Sequence, residues 1–172
     1  MALTVEDGTG IYEADAYASV DTVTSYWSAR THRSFSDTWT AATSPHKEGA
    51  IREATAYLDA MYYLRYRGVA KMSADQGLQW PRADANDDEF YDLPPLPIQL
   101  VNATCELSAR AVSEQLSPDS DQHQSIKRLL EKTGSVTVET EYMMGEGLEQ
   151  KFGFIDQMLA PILKVTAGWE WC

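Results

Sequence analysis

The segment QGLQWPR at residues 76–82 lies between the two strongest helical patterns of the chain. Pro81 removes a backbone donor and biases Trp80 towards extended geometry, so this segment is not a helix interior. A tryptophan in such a segment commonly fills a gap between packed elements and finds a partner for its indole N–H. Arg82 adds a planar fork of donors that suits a carboxylate or a helix C-terminus. We predict a structural motif that joins two helices, with a surface anchor for a partner as the alternative; its residues are Gln76, Leu78, Trp80, Pro81 and Arg82.

Helical periodicity surrounds this motif. Apolar residues recur at intervals of three and four, which is the spacing that places them on one face of a helix. Ser19 provides a cap before the first pattern, and Gly68 a stop after the second. The predicted helices span residues 20–31, about 47–67 and 97–116.

The remaining segments are shorter and less regular. They predict an N-terminal arm or strand (1–16), a polar connection with two aromatic pins (32–45), a short helix (125–132), a strand or hairpin (133–143), and a C-terminal helix and tail (153–172). With 172 residues the chain suggests one domain, in which residues 20–116 form a helical core. The predicted fold class is mainly α: a small bundle of about four to five helices with one β-strand or hairpin and extended termini.

The charge balance argues against tight binding to DNA phosphates. Net charge is −12, and residues 83–172 hold 16 acidic against 6 basic residues. Residues 46–82 hold 4 acidic and 6 basic residues, which is too small an excess to form a basic stripe. Cys105 and Cys172 are too few for a disulfide scaffold, so a reducing compartment is expected. The sequence predicts neither a signal peptide nor a membrane span, and hence a soluble protein made in the cytoplasm.

The sequence offers little catalytic chemistry. The three histidines lie in polar connections away from any nucleophile setting, and the usual metal and phosphate-loop spacings are absent. Asp84, Asn86 and Asp88 share the first positions of a calcium loop. However, Glu89 stands where glycine is needed and Pro95 where a bidentate glutamate is needed. We therefore expect no enzyme, no cofactor and no metal site.

Two features suggest interactions instead. An aromatic and basic cluster lies near the end of the second predicted helix, and it could stack on single-stranded DNA or form core with partly buried arginines. Its residues are Tyr62, Tyr63, Arg65, Tyr66 and Arg67. The tail places Trp169 and Trp171 two residues apart, on one side of an extended chain. Such a pair is either a partner anchor or a segment that folds back on its own domain.

Taken together, these features resemble a family of tailed-bacteriophage proteins. The resemblance lies in five segments in the same order: residues 17–26 (YASVDTVTSY), 50–59 (AIREATAYLD), 76–82 (QGLQWPR), 136–142 (VTVETEY) and 158–163 (MLAPIL). The second and third segments are the most specific. Proteins of this kind are often labelled DnaT-like single-stranded-DNA-binding proteins, and others of similar layout are head-to-tail connector adaptors.

The resemblance implies a structural virion protein rather than an enzyme. An adaptor of this kind forms a homo-oligomeric, dodecameric ring in the virion neck, with the portal protein above and a stopper or tail-completion protein below. The genome passes through the lumen without sequence-specific contact, and no membrane is involved. The alternatives are a single-stranded-DNA-binding replication protein, which would use the tyrosine and arginine cluster, and a neck stopper or tail-completion protein. We place the candidate portal contact at Trp169 and Trp171 as a hypothesis.

Overall fold

The computed structural model describes residues 2–69, 71–116, 129–133, 136–140 and 152–164. Within these ranges it contains five α-helices and a two-stranded hairpin, so the predicted mainly helical class is confirmed. The helices are α1 (Val20–Ser28), α2 (Ser34–Ala41), α3 (Ser44–Tyr62), α4 (Ile98–Ala111) and α5 (Gly153–Leu159). The chain divides into two compact units, one with the five helices and the other with the hairpin.

Helix α4 is the centre of the helical unit. Every residue from 103 to 109 is buried, so this helix is enclosed on all sides rather than on one stripe. The hydroxyls of Thr104 and Ser108 donate to carbonyls one turn earlier, at 2.9 and 2.6 Å, which satisfies them without solvent. One hydrophobic cluster joins α4 to α3 and α5, and a second joins it to α1 and α2.

The prediction of a polar connection over residues 32–45 is wrong in part, because this segment contains α2. Its sequence, SFSDTWTA, has few apolar residues and its N-cap residue, Arg33, makes no side-chain cap. Burial of Trp39 holds the helix in place, and the indole N–H donates to Thr24 Oγ1 at 3.1 Å. In contrast, the predicted cap of α1 is confirmed, because Ser19 Oγ accepts from Thr22 N at 3.0 Å.

The second predicted helix ends earlier than expected, at Tyr62 rather than near residue 67. The backbone of residues 65–67 instead forms hydrogen bonds with residues 162–164. Arg67 N donates to Ile162 O at 3.0 Å, and Lys164 N donates to Arg65 O at 2.7 Å. These bonds pair residues 65–67 with the short 3₁₀ turn Ala160–Ile162 and the residues after it, so the helix cannot continue.

The described part of the predicted N-terminal arm, residues 2–16, has no helix and folds back on itself through a turn, so that its two ends lie side by side. Val5 bridges to Ala16 in parallel, and Glu6 N donates to Ala16 O at 2.9 Å. Arg52 of α3 donates to Asp15 Oδ2 at 2.6 Å and to Ala2 O at 3.0 Å. The arm is therefore attached at both ends to the same helix.

In the second unit, strands β1 (Leu129–Thr133) and β2 (Val136–Thr140) pair in antiparallel register. Leu129 lies opposite Thr140, and Thr133 lies opposite Val136. The prediction of a short helix over 125–132 is wrong for residues 129–132, which are strand. Short apolar runs do not distinguish helix from strand by periodicity, and pairing with β2 decides this one. None of the described helices is long and apolar enough to cross a membrane.

Candidate functional site

The QGLQWPR motif lies in the main core of the helical unit, as the structural reading of the sequence predicts. Trp80 is 0% exposed and packs edge-on against Tyr66, with ring centroids 5.9 Å apart. The bond between Trp80 and Pro81 is cis. One expectation is wrong: the buried Trp80 Nε1 has no hydrogen-bond partner in the part of the chain that the structure describes. The indole therefore contributes by packing rather than by polar contact.

Tyr17 and Asp59 hold the motif through its backbone. Tyr17 donates its hydroxyl to Asp59 Oδ1 at 2.6 Å and accepts from the backbone N–H of Gln79 at 3.0 Å and of Trp80 at 3.1 Å. Asp59 Oδ2 also accepts from Gln79 N, at 3.0 Å. Three segments that are far apart in sequence, and that carry the family resemblance, thus meet in one hydrogen-bonded network.

Burial sets the electrostatics of this network. Desolvation raises the pKa of Asp59 from 3.8 to about 6, even though hydrogen bonds from Tyr17 and Gln79 favour the ionised form. Desolvation, together with the nearby Asp59 carboxylate, raises the pKa of Tyr17 well above its usual range. The tyrosine therefore remains a neutral donor, and the carboxylate is the member of the pair that titrates.

Gln76 is buried and closes the motif on itself. Its Nε2 donates to Leu78 O at 2.9 Å and to Pro81 O at 3.0 Å. The N-terminal arm crosses directly above, where a Cβ on Gly77 would lie 2.7 Å from two arm carbonyls, Tyr12 O and Ala14 O. Since real Cβ atoms do not approach so closely, only glycine fits between the motif and the arm.

Arg82 forms no ion pair with a carboxylate of the described residues. Its Nε donates to Arg67 O at 2.8 Å, beyond the end of α3. Arg67 in turn binds Asp88 and, through Nη1, Asn86 O at 3.3 Å. The two arginines therefore connect the motif to residues 84–92, which we call the acidic loop. Among the described residues there is no cluster of three or more His, Cys, Asp or Glu side chains that could hold a metal ion.

The predicted single-stranded-DNA contacts are largely dispersed into the core. Tyr62 and Tyr66 are buried, with Tyr62 donating to Asp156 Oδ1 at 2.9 Å and Tyr66 to Leu58 O at 3.2 Å. Only Tyr63, at 47% exposed, presents a ring to solvent. Arg65 pairs with Asp156 at 3.5 Å. The other candidate contact, at Trp169 and Trp171, lies outside the described residues.

A buried carboxylate that the sequence analysis did not single out lies on α4. Glu106 is fully buried and binds Arg33 Nη1 at 2.5 Å and Arg110 Nη1 at 3.1 Å, and it accepts from the Tyr26 hydroxyl at 2.8 Å. The only sequence signal for this cluster was the four-residue spacing of Glu106 and Arg110. The contact with Arg33 is long-range and leaves no local pattern.

Glu6 is a second such residue. It is 1% exposed, and its carboxylate accepts from the backbone N–H groups of Gly8, Gly10 and Ile11, each at 2.9 Å. Gly8 and Gly10 have positive φ, which turns successive N–H groups towards one point. The glycine pair was the available signal, and it shows why the arm forms a turn here.

The sequence model of a family described as "Putative DnaT-like ssDNA binding protein" matches residues 1–170. No curated protein and no solved structure matches the chain.

Proposed function

The chain belongs to the family described as "Putative DnaT-like ssDNA binding protein", and from that premise we propose that it is a structural virion protein, a head-to-tail connector adaptor of a tailed phage. In this role it forms a dodecameric ring under the portal and joins the DNA-filled capsid to the tail. A stopper or tail-completion protein binds below, and the genome passes through the lumen.

The observation that carries this proposal is the burial and ion pairing of the tyrosine and arginine cluster. A surface that stacks single-stranded DNA needs several accessible rings beside free cations. Here two of the three tyrosines are core residues, and both arginines are engaged by carboxylates, Arg65 by Asp156 and Arg67 by Asp88. Most of the cluster therefore supports the fold, and among the described residues only Tyr63 keeps an exposed ring, which favours an assembly role over DNA stacking.

Exposed apolar side chains support a role in protein assembly. Phe90 is 88% exposed and Tyr91 is 68% exposed, both on the acidic loop. Neighbouring large aromatic groups at the surface are typical of a protein interface. The net charge of −12 also favours a channel component past which DNA can slide.

The test is assembly with the portal protein of the same virus, followed by mass measurement and by imaging of the virion neck. We expect a ring-sized complex with the portal and a position directly beneath it. Absence of the chain from purified virions would overturn the proposal.

Single-stranded-DNA binding is the second candidate, and one observation besides the family description favours it. The Arg30 guanidinium lies 3.6 Å from the ring centroid of the partly exposed Tyr26, and the Arg33 guanidinium lies 5.9 Å from that of the half-exposed Phe154. Titration of a labelled single strand at increasing salt separates the two functions. A replication protein requires strong binding that weakens steeply with salt, whereas we expect weak binding for an adaptor.

A further inference from the structure

Three arginines lie around the buried carboxylate of Glu106, and two of them pair with it. Arg33 and Arg110 both pair with Glu106. Arg30 makes no ion pair among the described residues and lies over Tyr26. The Arg33 guanidinium is 5.9 Å from the ring of Phe154, which is 50% exposed. We call this surface, made of Tyr26, Arg30, Arg33, Arg110 and Phe154, the arginine patch. It has a surplus of positive charge on a chain that is otherwise strongly acidic.

The acidic loop is its chemical complement. It has five acidic residues and no Lys or Arg among nine positions. Its shape is set internally, because Asp87 Oδ1 accepts from Glu89 N and from Tyr91 N, each at 2.9 Å. Phe90, at φ +66, is held outward at 88% exposed. The loop therefore presents a preformed aromatic residue among carboxylates.

The two surfaces cannot meet within one chain. The acidic loop precedes the first residue of α4, and Arg110 lies in the last turn of that helix, whose 14 residues span about 21 Å. Helix α5 also separates the two surfaces. Phe154 of the arginine patch lies in its first turn. The 3₁₀ turn after its last residue contacts Arg67, which binds the acidic loop. The complementary surfaces thus lie at opposite ends of the same two elements.

We propose that the acidic loop of one copy binds the arginine patch of a second copy, with Phe90 against Phe154 and the loop carboxylates against Arg30. This inference rests on the proposed function, because it names the contact between neighbours in the ring. A contact between two different surfaces is heterologous, and its repetition produces a closed ring when the rotation between neighbours closes. Desolvated opposite charges fix the register, and the aromatic residues supply apolar contact.

Charge reversal of the full-length chain tests the contact, with self-association measured by sedimentation equilibrium over increasing concentration. Glu89→Arg and Arg30→Glu each place like charges against one another, so each should weaken self-association about tenfold or more. Neither side chain belongs to a described ion pair, so both variants should fold. The double variant restores opposite charges in every contact and should recover association. An equimolar mixture of the two single variants should also recover it, in an alternating assembly.

Glu13→Arg and Lys47→Glu are matched controls, because they make the same charge changes at positions away from both surfaces. They should leave self-association unchanged. The inference would be overturned by a wild-type chain that remains monomeric up to about 1 mM, or by a double variant no better than the single ones. Salt-sensitive DNA binding that is lost with Arg30→Glu and kept with Glu89→Arg would instead assign the patch to nucleic acid.

These outcomes are separable from those of the proposed function. Self-association that is unchanged by both charge reversals would overturn this contact but would not contradict the proposed connector function. If the double variant recovers self-association but the chain is absent from purified virions, the contact is supported and the connector function is overturned.

Discussion

Trp80 is fully buried against Tyr66, and its indole N–H has no acceptor among the described residues. Trp80→Ala removes the ring and leaves a cavity, so we expect a loss of about 3–5 kcal/mol in the free energy of unfolding. Trp80→Phe keeps most of the packing and removes no hydrogen bond, so its cost should be clearly smaller. Urea denaturation of both variants measures the difference.

A different result would change the role of this residue. If Trp80→Ala unfolds at the wild-type urea concentration but no longer assembles, Trp80 is an interface anchor and the structural interpretation of the motif is wrong.

Asp59 makes the stability of the fold depend on pH. Its pKa is raised from 3.8 to about 6, so the folded state favours the protonated carboxyl more than the unfolded state does. The resulting stabilisation is fully present below about pH 4 and is lost as pH rises through about 6. A shift of this size corresponds to roughly 3 kcal/mol between the two limits.

Asp59→Asn is neutral throughout this range and isolates the effect. We expect the free energy of unfolding of the wild type, minus that of the variant, to fall by roughly 3 kcal/mol between about pH 4 and pH 7. A difference that stays constant over this range would show that Asp59 has an ordinary pKa. The group faces Tyr17, Tyr66, Lys71 and Arg82, and the two cations limit the shift.

At the scale of elements, the N-terminal arm depends on Glu6. Glu6→Ala leaves the backbone N–H groups of Gly8, Gly10 and Ile11 without their acceptor, and we expect a cost of roughly 2–4 kcal/mol. Glu6→Gln keeps one oxygen but turns its amide donor towards another donor, so its cost should be intermediate. Thermal unfolding measures both variants. Equal stability of all three proteins would mean that the Glu6 carboxylate is not needed and that other contacts, such as those of Arg52, hold the arm.

Element boundaries show what sequence patterns can and cannot predict. The periodicity of α3 and α4 is strong, because both bury a broad apolar face, and their existence is readable from the sequence. Helix α2 has no such face. It exists because Trp39 inserts into the second core cluster, which is a tertiary effect that outweighs weak local propensity. The early end of α3 likewise follows from pairing with residues 162–164, a long-range contact with no local signal.

The candidate sites divide in the same way. The burial of Trp80 was predictable, because a large apolar side chain in an extended segment before a proline commonly fills a gap between packed elements. The partners that hold it were not, since Tyr17 and Asp59 are separated from the motif by 62 and 20 residues, as counted to Gln79. The tyrosine and arginine cluster could not be interpreted from sequence, because its composition is also that of a stacking surface. Only the structure shows that Tyr62 and Tyr66 are buried in the core.

At the scale of the whole molecule, the helical unit holds three family segments in one rigid network and leaves charged and aromatic surfaces free for partners. This division suits the proposed connector role, in which a stable fold presents its surfaces to neighbouring proteins. The C-terminal tail, with Trp169 and Trp171, is the remaining candidate contact. Lys164, the last described residue before it, hydrogen-bonds to Arg65 beside the exposed Leu64 and Tyr63.

Deletion of residues 167–172 removes Trp169 and Trp171 together. If these residues anchor the chain to the portal, the loss of two tryptophans should weaken portal binding by at least about thirtyfold, since one such anchor commonly contributes about 2 kcal/mol or more. Biolayer interferometry on immobilised portal measures the affinity, and Trp169→Ala/Trp171→Ala in the full-length chain is the control that keeps chain length. Unchanged portal binding would exclude the tail as the anchor. Lower thermal stability of the truncated chain would instead indicate that the tail packs on its own domain.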